Sequence, residues 1–167
     1  MTGQKVYRAI GLMSGTSNDG IDVAYLESDG FTVSAFGGSA THRYPTDFRN
    51  RLRRVIQGYG NRIKVEEELT LLHWSAVRNF LKRENLKANE IDLIGFHGHT
   101  INHDPSKACT IQIGDGALLA RKLDIPVIND FRSNDIRHGG QGAPLAPAFH
   151  AVLAAGLEKP IAVLNIG

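Results

Sequence analysis

The sequence holds a single cysteine, Cys109, in 167 residues. That excludes an internal disulfide and any zinc site built from several cysteines. No stretch approaches the ~18 apolar residues of a membrane-spanning helix. The opening MTGQKVYRAIG lacks the apolar core of a secretory signal. These absences lead us to expect a cytoplasmic protein. Charge of one sign is not in excess: 19 basic residues against 17 acidic ones leave a formal +2, which does not by itself call for a nucleic-acid partner. Arg49, Arg51, Arg53 and Arg54 are not interleaved with aromatics, so they read as a solvated helix face. There is no GxxxxGK[ST] phosphate loop, no internal repeat and no low-complexity tract. What remains is a chain that is 42% hydrophobic, long enough to bury about 70% of its unfolded surface, and therefore one globular domain by default.

The chain is organised around Ile10–Asp22, IGLMSGTSNDGID. An apolar run of one strand's length breaks into Ser14, Gly15, Thr16, Ser17, Asn18, Asp19 and Gly20, and a second apolar strand begins at Ile21. This is a β-hairpin whose turn is filled with glycine and small hydroxyl residues. Gly15 and Gly20 permit positive φ and close backbone approach. Successive turn N–H groups can form a concave anion site. Thr16 and Ser17 add hydroxyl donors, and Asp19 and Asp22 can hold Mg²⁺ through water. An ordinary hairpin turn has the same composition, so the turn alone does not decide between the two.

Residues 8–13 and 21–27 are expected as the first two strands, and Phe31–Ala40 as a third in an antiparallel meander. A helix is expected from Pro45–Asp47 through Ile56, with Gly58 as its stop. A second is expected over Val65–Glu84, with Val65, Leu69, Leu72, Ala76 and Phe80 on one stripe. Glu66, Glu67 and Glu68 are placed in its first turn, and His73 and Trp74 are taken as packing residues. Ile91–Phe96 reads as a short strand ending in His97, Gly98, His99 and Thr100. Thr100–His103 and Cys109–Ile113 can pair as a second hairpin. Asp115 is a candidate N-cap for a helix through Arg121. Pro126–Ile128 reads as a buried strand, Pro144–Leu157 as a helix, and Pro160–Ile166 as an apolar strand of the parallel, central kind.

Four polar groups thus fall at strand ends: Ser14–Asp19, His97–Thr100, Gln112–Asp115 and Asp130–Gln141. Strand ends are where open α/β sheets place ligands. Asp and Gln side chains there can bond sugar hydroxyls, and Arg132 can grip a carboxylate. His97, His99 and His103 raise the question of a metal. We expect none held by protein ligands, because His97 and His99 are read on opposite faces and no carboxylate completes a zinc spacing. A serine hydrolase is disfavoured, since Ser14 and Ser17 lie in a hairpin turn and not in a strand-to-helix elbow.

Five ordered blocks give the chain a family resemblance. GLMSGTSNDGID at Gly11–Asp22, HGHTINH at His97–His103, IQIGD at Ile111–Asp115, NDFRSNDIRHGGQGAPLAPAFH at Asn129–His150 and AVLNIG at Ala162–Gly167 resemble, in this order, the N-terminal part of the anhydro-N-acetylmuramic acid kinases. The resemblance implies an α/β fold: the first lobe of an actin-like ATPase and sugar-kinase architecture, a mixed sheet opening with a three-stranded antiparallel meander and flanked by helices. It implies ATP and Mg²⁺ as cofactors. The implied reaction opens 1,6-anhydro-N-acetylmuramic acid with water at C1 while O6 takes the γ-phosphoryl group.

By the same resemblance, Gly15, Thr16, Ser17, Asn18, Asp19, Gly20, Ile21 and Asp22 match the ATP loop. Strand-end geometry, more than the family, puts His97, Thr100, Arg132, Asp135 and Gln141 on the sugar side. Asn18 stands where the family has an apolar Leu. His99 stands in place of a Gln, beside the expected sugar. Arg137 and His138 replace small or apolar residues.

The family is about twice this length, and its DTGPGN-type segment carrying the aspartate base is expected beyond Gly167. We therefore expect residues 1–159 to form a kinase lobe and 160–167 to begin a second lobe, with these 167 residues inactive alone. The expected partners are an amino sugar and ATP, and either a second lobe or a second copy, with no nucleic acid or membrane. Two other readings stay open: a non-catalytic nucleotide- or sugar-binding lobe acting with a partner, and a kinase of a related sugar.

Overall fold

The computed structural model describes residues 5–164. Its first three strands are β1 (Tyr7–Ser14), β2 (Gly20–Ser28) and β3 (Val33–Arg43). They pair antiparallel, Leu12 opposite Val23 and Ile21 opposite His42, as the meander requires. Alternation drives the first pair: Ile10, Leu12, Ser14, Ile21 and Val23 are buried on one face, while Gly11, Met13 and Ala24 face outward. Strand β3 starts and ends later than expected, so its end lies beside the hairpin turn.

Helices α1 (Thr46–Ile56) and α2 (Arg62–Arg83) cover the buried face. Phe48, Leu52 and Val55 recur at helical spacing along α1. Helix α2 presents Val65, Leu69, His73, Ala76, Val77 and Phe80 to the same core. It begins three residues earlier than the sequence indicates, with the Asn61 side chain capping the Lys64 N–H. Glu66–Glu68 therefore sit in the second turn, since the capping asparagine lies upstream of the acidic run. His73 is fully buried edge-on to Phe96, with ring centroids 4.9 Å apart, a packing residue as expected. Arg51, Arg53 and Arg54 are exposed, and Arg51 pairs with Glu68.

Strand β4 (Leu93–Asp104) is twice as long as the apolar run that signals it. Its first half lies parallel to β1 and to the short β6 (Val127–Ile128). Its second half pairs antiparallel with β5 (Cys109–Ile113), which is the second hairpin expected. The sheet has 6 strands in the order β3-β2-β1-β4-β5, with β6 also on β4. Helix α3 (Gly116–Leu123) is capped by Asp115, whose carboxylate accepts the Leu118 N–H. The architecture is α/β with a mixed open sheet flanked by helices.

Two departures lie further along. A short helix, α4 (Ser133–Arg137), forms where only a polar connection was read. Helix α5 spans Ala146–Leu153, shorter than Pro144–Leu157, and none of its residues is buried. Without a buried stripe it lacks the packing that extends a helix. Residues 160–164 form no strand, since no strand among the described residues pairs with them. The remainder of the expected Pro160–Ile166 strand lies outside the described residues. Among the described residues, no helix is long and apolar enough to cross a membrane.

Candidate functional site

The sheet register explains why the polar clusters meet. Ser14 at the end of β1 is opposite His99 on β4, and His99 is opposite Ile113 at the end of β5. Strand β6 ends at Ile128 on the other part of the β4 edge. The four strand-end groups therefore share one rim of the sheet, even though β5 runs antiparallel.

Residue Gly98 makes this row. Three β4 steps, Phe96 to His99, span the two β1 steps from Leu12 to Ser14. The extra residue is a bulge, with Gly98 at φ +67 and so close to Ile113 that a Cβ would stand 2.4 Å from its carbonyl oxygen. Only glycine fits. A regular strand would put His97 and His99 on one face; the bulge sends them to opposite faces. His99, which the sequence reading set beside the expected sugar, turns into the core and is 0% exposed. His97 turns outward to the strand-end cavity.

In the hairpin turn, Asn18 takes the left-handed conformation, φ 55, rather than Gly15 or Gly20. Asparagine tolerates this region where most residues do not. Gly20 is needed for proximity instead: a Cβ there would stand 2.4 Å from the His42 carbonyl oxygen. The turn closes through the Asn18 N–H to the Gly15 carbonyl at 3.1 Å and the Asn18 amide to the Thr16 carbonyl at 2.9 Å. Among the described residues, the Thr16 and Ser17 backbone N–H groups have no partner. Thr16, Ser17, Asp19 and Asp22 are exposed. The Ser17 hydroxyl donates to Asp19 and, with backbone donors, holds that carboxyl below the usual range. The Thr41 hydroxyl donates to Asp22 at 2.6 Å. Ile21 is a core residue, 1% exposed.

Across the rim, Arg132 Nε donates to His97 Nε2 at 3.1 Å, and Arg132 Nη1 donates to the Gly142 carbonyl at 2.6 Å. With Nε2 accepting, His97 carries its proton on Nδ1, which donates to the Gly98 carbonyl at 2.9 Å. Burial, with the Arg132 guanidinium beside it, lowers the His97 pKa. His97 is therefore a neutral ring whose lone pair is occupied, which suits it to positioning and not to taking a proton. Among the described residues, Arg132 Nη2 has no acceptor. The Asp135 carboxylate accepts the Gly142 N–H at 2.7 Å, so it shapes the 140–142 loop. Gln112 donates to Thr100 at 3.1 Å and to Thr110 at 2.8 Å, bringing Thr100 onto the His97 face. Gln141 is exposed and joins the group only through its neighbour Gly142. A cavity of about 220 Å³ lies here, lined by His97, Gln112, Asn129, Asp130 and Ser133 among others.

Three contributors carry no sequence signal of their own. Tyr44 faces the hairpin turn from the end of β3. Glu66, one turn into α2, accepts the Gly114 N–H at 2.8 Å, and Thr70 accepts the Asp115 N–H at 3.0 Å. Together Glu66 and Thr70 fix the loop after β5. Asp130, the first residue of the expected Asp130–Gln141 group, lines the cavity, and the structure adds its neighbour Asn129 to the wall. Among the described residues, no group of three or more His, Cys, Asp or Glu side chains gathers as a metal site.

The sequence itself matches one family over nearly its whole length. The family described as anhydro-N-acetylmuramic acid kinase matches residues 7–167. A protein of that name from Paramagnetospirillum magneticum is 54% identical over 159 residues, covering 95% of this chain and 45% of its own length. One from Brucella canis is 51% identical over 174 residues, covering 96% of this chain and 47% of its own. One from Acidiphilium cryptum is 50% identical over 159 residues, covering 95% and 44%. The chain thus spans about half the length of the curated relatives it matches. On the whole-chain match and these identities together, the chain belongs to the anhydro-N-acetylmuramic acid kinase family.

Proposed function

We propose that this chain is the first lobe of an ATP-dependent kinase that opens 1,6-anhydro-N-acetylmuramic acid and phosphorylates O6, giving N-acetylmuramic acid 6-phosphate. One observation carries the reading: in a member of this family, a hairpin turn with unpaired N–H groups shares a sheet rim with an arginine-bearing cavity. Phosphoryl transfer is done by positioning and by neutralising charge, and the two halves of the rim divide that work.

The turn would bind the nucleotide. Gly15 to Asp22 supply free backbone N–H groups at Thr16 and Ser17 and the exposed Thr16 hydroxyl, a donor set that suits phosphate oxygens. Mg²⁺, when bound with the nucleotide, would neutralise charge on the transferring phosphoryl group. The residues present fit a cation held by phosphates and water: Asp19 and Asp22 are exposed carboxylates, and Asn18 Oδ1 is buried without a donor, an acceptor for a metal-bound water. The cavity side would bind the sugar. Arg132 Nη2 is free for the lactyl carboxylate, His97 fixes the guanidinium plane, and Thr100, Asp135 and Gln141 stand near enough to the loop to meet hydroxyl and amide groups.

Residues 1–159 form this lobe on our reading, and 160–167 begin the next, which would carry the base for the attacking water. The protein would act in the cytoplasm, where ATP is supplied. The test is ADP release by the protein at its natural length, with ATP, Mg²⁺ and the anhydro sugar. Sugar-dependent ADP release, absent from residues 1–167 alone, is the expected result. Turnover of another amino sugar in its place would overturn the substrate assignment. Nucleotide or sugar binding without turnover at natural length would favour a binding lobe that works with a separate partner.

A further inference from the structure

The hairpin turn is tied at both ends by one residue outside it. The Tyr44 N–H donates to the Asp19 carbonyl at 2.9 Å, at the exit of the turn. The Tyr44 hydroxyl lies 2.7 Å from Ser14 Oγ, at its entrance. Ser14 Oγ lies in turn 2.8 Å from His99 Nδ1. Tyr44, Ser14 and His99 are respectively 5%, 1% and 0% exposed, so water does not compete for these bonds. The side of the turn away from solvent is thus held by a chain of three buried side chains. It is anchored on β4 by the bulge that turns His99 inward.

We propose that Tyr44 and His99, acting through Ser14, are positioning residues that hold the turn in its nucleotide-binding shape. The inference rests on the reading of the turn as the nucleotide loop. Thr16 and Ser17, whose N–H groups have no partner among the described residues, lie between Ser14 and Asp19, the two residues that Tyr44 holds. Nothing within the turn fixes both ends: its internal bonds join Gly15 to Asn18, Thr16 to Asn18 and Ser17 to Asp19. Neither Tyr44 nor His99 would touch the nucleotide. Their loss should therefore weaken nucleotide binding while leaving the sugar side as it is.

Three substitutions in the protein at its natural length test this. Tyr44→Phe removes one hydroxyl and keeps the ring on Phe48. His99→Leu removes the nitrogen facing Ser14 and keeps bulk, and His99→Asn puts an amide close to where Nδ1 stands. With MgADP as the probe in calorimetry, Tyr44→Phe and His99→Leu should each weaken binding roughly five- to tenfold, the loss of about one buried hydrogen bond. His99→Asn should stay within about twofold of the parent. The KM for ATP should rise in the first two while the KM for the sugar does not, a split that general destabilisation would not produce. Amide exchange across 15–19 should quicken in Tyr44→Phe with the helices unchanged, which reads the same effect without ligand.

Parent-like MgADP affinity and parent-like exchange in Tyr44→Phe would overturn the proposal and leave the loop assignment standing. An equal rise in both KM values would overturn it as well. A parent protein that does not bind MgADP would overturn the loop assignment itself, and this inference with it.

Discussion

Lowering the pH from about 7 to about 5 should destabilise this fold through its buried histidines, with His73 giving the cleanest case. The His73 ring is fully enclosed between α2 and the sheet. Its Nδ1–H donates to the Leu69 carbonyl at 2.8 Å, and Nε2 is buried without a partner. Burial first, opposed only in part by that bond, pulls its pKa from 6.5 down to about 4. In the unfolded chain the ring protonates near its ordinary value, so between these two values the unfolded state binds more protons. Stability is full above about pH 6.5 and falls as pH drops toward about 4. At about pH 5 the loss from this one group is about 2 kcal/mol, or roughly 4–8 °C in Tm for a domain of this size.

The lowered carboxylates do not confuse the window. Asp19, Asp29, Asp92 and Asp104 are all held below 3.8, so their contributions are lost only at lower pH. His99, pulled by burial to about 4, and His97 act in the same direction and in the same window as His73. The assay must therefore be differential: urea unfolding of the parent and of His73→Leu at both pH values. The variant exchanges an orphaned polar atom for an apolar group of similar size, so its stability near neutral pH should lie within about 1 kcal/mol of the parent. Its loss on acidification should be smaller by about 2 kcal/mol. Equal losses in parent and variant would refute the argument that the buried ring resists protonation.

Other expectations follow from single contacts. Asn61→Ala removes the side-chain cap on the Lys64 N–H and should cost about 1 kcal/mol in chemical denaturation. Phe48→Ala empties a site that is 0% exposed and should cost about 3–5 kcal/mol by the same method. Gly98→Ala would drive a Cβ into the Ile113 carbonyl at φ +67; it should lower Tm and displace His97, seen as a shifted ring resonance. Arg132→Ala should raise the KM for the anhydro sugar by roughly tenfold or more, the loss of a charge-assisted contact, while MgADP affinity stays at the parent value.

The opening meander, both long helices and the Asp115 cap were legible because each depends on residues near one another in sequence. Ile10, Leu12, Ile21 and Val23 announce their strands by alternation, and Phe48, Leu52 and Val55 announce α1 by helical spacing. What was not legible depends on partners far along the chain. The pairing of Thr100–His103 with Cys109–Ile113 could be read, but not its fusion with the apolar run into one strand, because β1 and β5 hold the two halves of β4 together across the Gly98 bulge. Helix α5 was overdrawn for the converse reason: an Ala- and Leu-rich stretch satisfies the pattern, but none of its residues is buried among the described residues.

The candidate site shows the same division at finer grain. The turn from Ser14 to Asp22 could be picked out because glycine, hydroxyl and carboxylate residues crowd one short stretch. Its support could not, because Tyr44 and His99 lie 30 and 85 residues from Ser14. Residue His99 shows what spacing alone leaves out. The two histidines do fall on opposite faces as read, but a regular strand would put residues two apart on one face; it is the bulged Gly98 that turns His99 into the core, beside Ser14. In the fold the His99 ring meets Ser14 at the entrance of the turn, so on the proposal made above its substitution is to be read first in nucleotide affinity.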